Sequence, residues 1–261
     1  MRIGVLALQG DFAEHLAVLR RLGVEAIQVR RADQLADIDG LVMPGGESTT
    51  IGKLATDFGL VGPLRERIEA GLPVLATCAG LILLASDVGI DQPLIGGMDI
   101  AVERNAFGRQ LESFETELDV AGLGWPPVRA VFIRAPAIRS VGPDVEVLAR
   151  LADGRIVAAQ QGHLLVAAFH PELSGDTRLH ERFLEACARR AEGADRRARS
   201  EDRGEKREGR DGAAPQALPA ELEARAGAQA GDLRAELGAV RGRIRRTAAR
   251  GLGAARAPGR P

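Results

Sequence analysis

The sequence predicts an α/β fold, a three-layer open and mostly parallel sheet with helices on both faces, followed by a disordered tail. Three observations carry that prediction. Short apolar runs alternate with helix-periodic segments over roughly the first ninety residues. Strand candidates then crowd together between residues 98 and 169, and the composition changes near residue 190. Alternating strand and helix patterns imply parallel strands with crossover helices, and the crowded strands imply hairpins that extend the same sheet.

The elements follow in order. Residues 3–8 form an apolar run, and Phe12, Leu16, Leu19 and Leu22 recur at helical spacing before Gly23 ends the helix. Residues 24–29 read as a second strand and Leu41-Val42-Met43 as a third, closed by Pro44-Gly45-Gly46. Helical patterns cover 48–57 and 61–70, and residues 74–76 form a buried strand. Further strands are predicted at 98–103, 111–119, 129–134, 145–150, 155–160 and 164–169, and a last helix at 176–190. Sites in open α/β sheets form at the carboxyl ends of strands, where Gly45, Cys78 and His170 all fall.

Composition narrows the function classes. The formal net charge of the 261 residues is −1, which makes no case for a nucleic-acid partner. No apolar run approaches the roughly 18–20 residues of a membrane helix, and no leader pattern opens the chain, so a cytoplasmic protein without membrane attachment is expected. Two cysteines, Cys78 and Cys187, are too few for a disulfide framework and lack zinc-ligand spacing. The charge is uneven. Residues 1–190 carry 19 basic and 25 acidic side chains, whereas residues 191–261 carry 16 and 11 and no Phe or Trp. A segment with so little to bury stays disordered. Within it, Leu233, Leu237, Val240 and Ile244 among arginines leave open a transient basic amphipathic helix.

The chemistry concentrates at Cys78, in Val74-Leu75-Ala76-Thr77-Cys78-Ala79-Gly80. A cysteine between a strand and a helix gains from the helix N-terminus both a lowered pKa and backbone N–H groups for a developing oxyanion. His170 ends a later apolar run, and Glu172 lies two positions on, so a Cys78–His170–Glu172 triad is expected. The turn Pro44-Gly45-Gly46-Glu47-Ser48-Thr49-Thr50 lacks the Gly-Lys-Ser/Thr ending of a nucleotide P-loop. Ser48 is placed to cap the following helix. Of the other histidines, His15 and His180 fall on helices and are expected to be solvated, and His163 lies in a turn. Cys187 reads as a small core residue. Arg104 and Arg134 have ordinary readings too, in a surface hairpin and a salt bridge.

The motifs are more specific together. Leu8-Gln9-Gly10-Asp11, the glycine turn, Thr77-Cys78-Ala79-Gly80, Glu103-Arg104-Asn105-Ala106-Phe107-Gly108-Arg109-Gln110, Ser113-Phe114-Glu115, Phe132-Ile133-Arg134-Ala135-Pro136 and His170-Pro171-Glu172 occur in that order. Over residues 1–190 the chain resembles the glutaminase subunits of pyridoxal 5'-phosphate synthase, class I (triad-type) glutamine amidotransferases. The resemblance implies the flavodoxin-like core of that class as a domain at 1–190, with 191–261 an extension outside the family pattern. It also implies hydrolysis of L-glutamine to L-glutamate and ammonia by Cys78, His170 and Glu172. Gly46 and Ala79 would form the oxyanion hole. Gly46, Glu47, Ser48, Arg104, Ile133 and Arg134 would contact glutamine. The implied partner is the barrel synthase subunit, which receives the ammonia for vitamin B6 synthesis, and no metal or cofactor is implied. Ala76 departs from the glycine usual there. An amidotransferase serving another acceptor, such as an imidazole-ring synthase, and a non-catalytic regulatory protein on the same fold are the alternatives.

Overall fold

The computed structural model describes residues 1–107 and 113–208, with 194–208 as backbone only. The chain order is β1 (Arg2–Leu6), α1 (Phe12–Arg21), β2 (Glu25–Val29), a 3-10 turn (Ala32–Leu35), β3 (Gly40–Met43), α2 (Ser48–Asp57), α3 (Val61–Glu69), β4 (Val74–Thr77) and α4 (Ala79–Leu84). There follow β5 (Ala85–Asp87), β6 (Met98–Glu103), β7 (Ser113–Leu118), β8 (Val128–Ile133), β9 (Ala137–Val141), β10 (Glu146–Arg150), β11 (Ile156–Gln161), β12 (Leu164–Ala167), α5 (Pro171–Ser174) and α6 (Arg178–Glu208). The large sheet runs β2-β1-β3-β4-β12-β11-β9-β6-β5, with β10 on β11.

The five strands β2, β1, β3, β4 and β12 pair in parallel. Every residue of β3, β4 and β12 is buried, so both faces of the sheet centre are covered. From β11 onward the pairing turns antiparallel through β9 and β6, as predicted for the strand-rich half. The six-residue α4 is too short to persist on its own. It forms because all its residues, Ala79 to Leu84, are buried. Gly80 lets it lie directly on β3, where a Cβ would run into the carbonyl of Met43. Gly40 similarly admits Phe183 and Cys187 of α6, and Cys187 is the core residue expected.

Four expectations about the strands, the last helix and the histidines need correction. The hairpin β7–β8 is a separate two-stranded sheet and does not extend the large one. β9, short and containing Arg139 and Ser140, and the three-residue β5 have too little apolar pattern to be read from sequence. The last helix extends to Glu208 instead of ending near 190. The remainder of the tail, including the amphipathic pattern from Leu233, lies outside the described residues, as does Gly108-Arg109-Gln110.

The fourth correction concerns the histidines. His15 and His180 are fully buried, and His15 Nδ1 lies 3.0 Å from His180 Nε2. Burial, then the nearby His180 and His170, holds the His15 pKa well below the ordinary imidazole value. Burial and then Arg21 lower that of His180 to about 4, against a smaller opposing effect of Asp176. Both are therefore neutral in the fold. Depressed values mean that the unfolded chain takes up protons first as pH falls through 6.5. Stability is then lost progressively towards pH 4, by about 3 kcal/mol from His180 alone. Glu172, whose pKa burial raises, offsets part of this. Urea unfolding between pH 7 and 4 is expected to show that loss, and His180→Gln is expected to flatten it. Equal stability of the wild-type protein at both pH values would contradict the neutral burial.

Candidate active site

Three adjacent parallel strands, β3, β4 and β12, end side by side, and each delivers a site residue just beyond its carboxyl end. β3 leads to Gly45 and Gly46, β4 to Cys78, and β12 through Ala168 and Phe169 to His170. Cys78 takes φ 47° and ψ −103°, an unfavourable conformation for a residue with a Cβ. Its N–H donates to Ala167 O at 2.8 Å and its carbonyl accepts from Ile82 N at 3.3 Å, so the elbow is held at both ends. Ala76 is wholly buried and keeps the β4 register, opposite Met43 on one side and Val166 on the other. Cys78 Sγ lies 4.0 Å from the carbonyl oxygen of Ile133.

His170 and Glu172 are brought together at the start of α5. His170 Nδ1 and Glu172 Oε1 are 2.7 Å apart and both side chains are almost fully buried. Since an ionised carboxylate only accepts, Nδ1 carries the proton, and Nε2 is left for the thiol. Burial works to lower the His170 pKa. The polar and charge interactions with Cys78 and Glu172 outweigh it and raise the pKa to about 10. Burial raises the Glu172 pKa, with the His170 contact opposing. The arrangement can accommodate a thiolate beside an imidazolium, backed by a buried carboxylate.

The glycine turn packs tightly against this pair. Asp11 N–H donates to Gly45 O at 3.1 Å, and Asp11 Oδ2 lies 3.4 Å from His170 Nδ1. A Cβ on Gly45 would meet His170 Cε1 at 2.5 Å, and Gly46 takes φ 154°, so both positions favour glycine. Glu47 N–H donates to Gln9 Oε1 at 2.7 Å. Glu47, not Ser48, caps α2, accepting from Thr49 N, Thr50 N and Thr50 Oγ1. Ser48 is buried and donates instead to Gln92 Oε1 at 3.3 Å. Ala79, the other expected oxyanion donor, is the first residue of α4.

Arg104 follows β6 and reaches across to the glycine turn. It donates to Glu47 Oε1 at 3.1 Å, to Gln92 Oε1 at 3.1 Å and to Thr49 Oγ1 at 3.3 Å. Ile133 ends β8 half-buried, and Arg134 follows it, exposed, at φ 42°. An aromatic cluster adjoins Ile133 in sequence. Phe132 stacks on Phe114 with centroids 4.6 Å apart and touches Phe107 and Phe169. Sequence reasoning assigned no role to Gln9, Asp11, Thr77 or Gln92 and placed His15 in solvent. Gln9 and Asp11 lie in a quoted motif, whereas Gln92 carries no local signal. Asp11, His170 and Glu172 are the one metal-capable group among the described residues, but Nδ1 of His170 is already committed to Glu172. No helix among the described residues is long and apolar enough to cross a membrane.

Comparison with known proteins gives the family. A "Pyridoxal 5'-phosphate synthase subunit PdxT" of Carboxydothermus hydrogenoformans is 59% identical over 186 residues, covering 71% of this chain and 97% of that protein. One from Parafrankia sp. is 61% identical over 188 residues, covering 70% and 92%. A solved glutamine amidotransferase is 52% identical with a TM-score of 0.68, covering 71% of this chain and 98% of its own. PurLQS from Thermotoga maritima, 18% identical with a TM-score of 0.55 over 70% and 97%, shows the fold alone. The SNO glutamine amidotransferase family matches residues 5–189, and with that match the chain belongs to this family.

Proposed function

We propose that this chain is the glutaminase subunit of a pyridoxal 5'-phosphate synthase, and that Cys78, His170 and Glu172 are its catalytic triad. The observation that carries the triad is the 2.7 Å contact of His170 Nδ1 with Glu172 beside a cysteine held at φ 47°. Cys78 Sγ attacks the carboxamide carbon of L-glutamine. His170 gives its proton to the departing ammonia, leaving a γ-glutamyl thioester. His170 then takes a proton from the water that releases L-glutamate. Glu172 holds the imidazole and favours its charged form. The N–H groups of Ala79 and Gly46 stabilise the tetrahedral oxyanion, each such donor being worth about 10²–10³ in rate.

Glutamine lies between the glycine turn and the end of β8, against Gly46, Glu47, Ser48, Arg104, Ile133 and Arg134. Glu47 and Arg104 supply opposite charges 3.1 Å apart, a pattern that fits the α-amino and α-carboxylate groups of an amino acid. The ammonia passes to the barrel synthase subunit, with which this chain forms a hetero-oligomer. Its compartment is the reducing cytoplasm, where a thiol nucleophile such as Cys78 stays reduced.

With the synthase subunit present, Cys78→Ala is expected to reduce glutamate release by at least about 10⁴-fold, and Glu172→Gln by about 10²–10⁴-fold. Added ammonium should restore pyridoxal phosphate formation in both variants. Glutamate release by Cys78→Ala at the wild-type rate would remove the assignment. Arg104→Lys, which loses the two-pronged donor, is expected to raise KM about tenfold with a smaller change in kcat. Steady-state kinetics across glutamine concentrations separate the two constants, and an unchanged KM would contradict the placement of glutamine. Every site residue precedes Gly175, so truncation after Arg190 is expected to leave synthase-dependent activity intact. Loss of that activity in a truncated but folded protein would make the extension part of the working unit.

A further inference from the structure

A line of buried polar groups continues behind Glu172, away from Cys78. Glu172 Oε1 is taken by His170, whereas Oε2, equally buried, has no aligned hydrogen-bond donor. The group facing it is His15 Nε2, 3.2 Å away, with both side chains wholly inaccessible. The same nitrogen lies 3.1 Å from Thr77 Oγ1, on the residue just before Cys78. His15 Nδ1 meets His180 Nε2 at 3.0 Å, and His180 Nδ1 has no partner.

The proton positions follow from these contacts. Neutral imidazole has one donor and one acceptor nitrogen. A lone pair on His15 Nε2 would face the lone pairs of Glu172 Oε2 at 3.2 Å. It would also force Nδ1–H onto His180 and leave His180 Nδ1 as a buried N–H with no acceptor. The opposite tautomer puts N–H on His15 Nε2 and on His180 Nε2, leaving only an acceptor unpaired, the less costly vacancy. Hydrogen bonds then run in one sense, from His180 to His15 and from His15 towards Glu172 and Thr77.

We propose that His15 is a positioning residue for the reaction, its Nε2–H spanning Thr77 Oγ1 and Glu172 Oε2 so that the carboxylate stays ionised and square to His170. This role rests on the triad reading above. Thr77 is the lower anchor of the same contact and ties it to the strand that carries the nucleophile. The charged and titratable groups around the line are Asp11, His170 and Cys78 on the solvent side, with Arg21 and Asp176 acting on His180 from behind.

The test compares His15→Leu with His15→Gln, whose amide N–H can take the place of Nε2–H, in the complex with the synthase subunit. His15→Leu is expected to lower kcat for glutamine by about ten- to a hundredfold, as for a misplaced catalytic group, with KM changed by less than about twofold. Removing a donor from an ionised carboxylate raises its pKa. The acid limb of the kcat profile should therefore move up by about one pH unit, the worth of one hydrogen bond to a charged group. His15→Gln should return both quantities to near the wild-type values. If His15→Leu does not fold, His15→Asn, too short to reach Oε2, takes its place. The pH dependence of Cys78 alkylation by iodoacetamide in the isolated chain provides a readout without the partner. A wild-type protein that releases no glutamate with the synthase subunit overturns the triad reading itself. An active wild type overturns only the role of His15, if folded Leu or Asn variants keep its kcat and acid limb, or if Gln is as impaired as they are.

Discussion

The backbone of Cys78 is the constraint on which the remaining architecture converges. A residue with a Cβ at φ 47° and ψ −103° costs of order 1–3 kcal/mol and persists only where its surroundings over-determine it. Here they do. The Cys78 N–H is tied to Ala167 in β12, β4 is clamped between β3 and β12, and Gly80 lets α4 rest on the backbone of β3. The same three strands carry the glycine turn and His170. Holding the elbow and assembling the site are therefore one packing problem.

The second constraint is electrostatic. His15, His170, Glu172 and His180 are all buried, and an isolated charge at such depth is costly. The cost is contained by concentrating charge on the His170–Glu172 contact and leaving His15 and His180 neutral behind it. Burial affects the members differently, since His170 is raised by Cys78 and Glu172 while His15 and His180 are depressed. The neutral pair thus provides a polar backing without another charge.

Legibility from sequence followed locality. Cys78, His170 and the glycine turn were readable because each ends an apolar run, and parallel strands expose their carboxyl ends on one edge. Their spatial adjacency needed β12 to insert beside β4, which no local pattern encodes. His15 was misread because its helical spacing is unremarkable and its partners Thr77 and His180 are 62 and 165 residues away. Ser48 was misread as a cap because the longer Glu47 side chain reaches back to Thr49 and Thr50 and takes that role. β7–β8 had strand periodicity that was correct, but periodicity does not say which sheet a hairpin joins.

The proposed role of Cys78 is to carry the glutamyl group during turnover. The most direct measurement is mass spectrometry of the chain quenched in acid while it turns over isotopically labelled L-glutamine with the synthase subunit. A labelled glutamyl increment is expected on the peptide that contains Cys78, discharged when glutamine is exhausted and absent from Cys78→Ala. A labelled adduct on any other residue, with that peptide unmodified during active turnover, would contradict it.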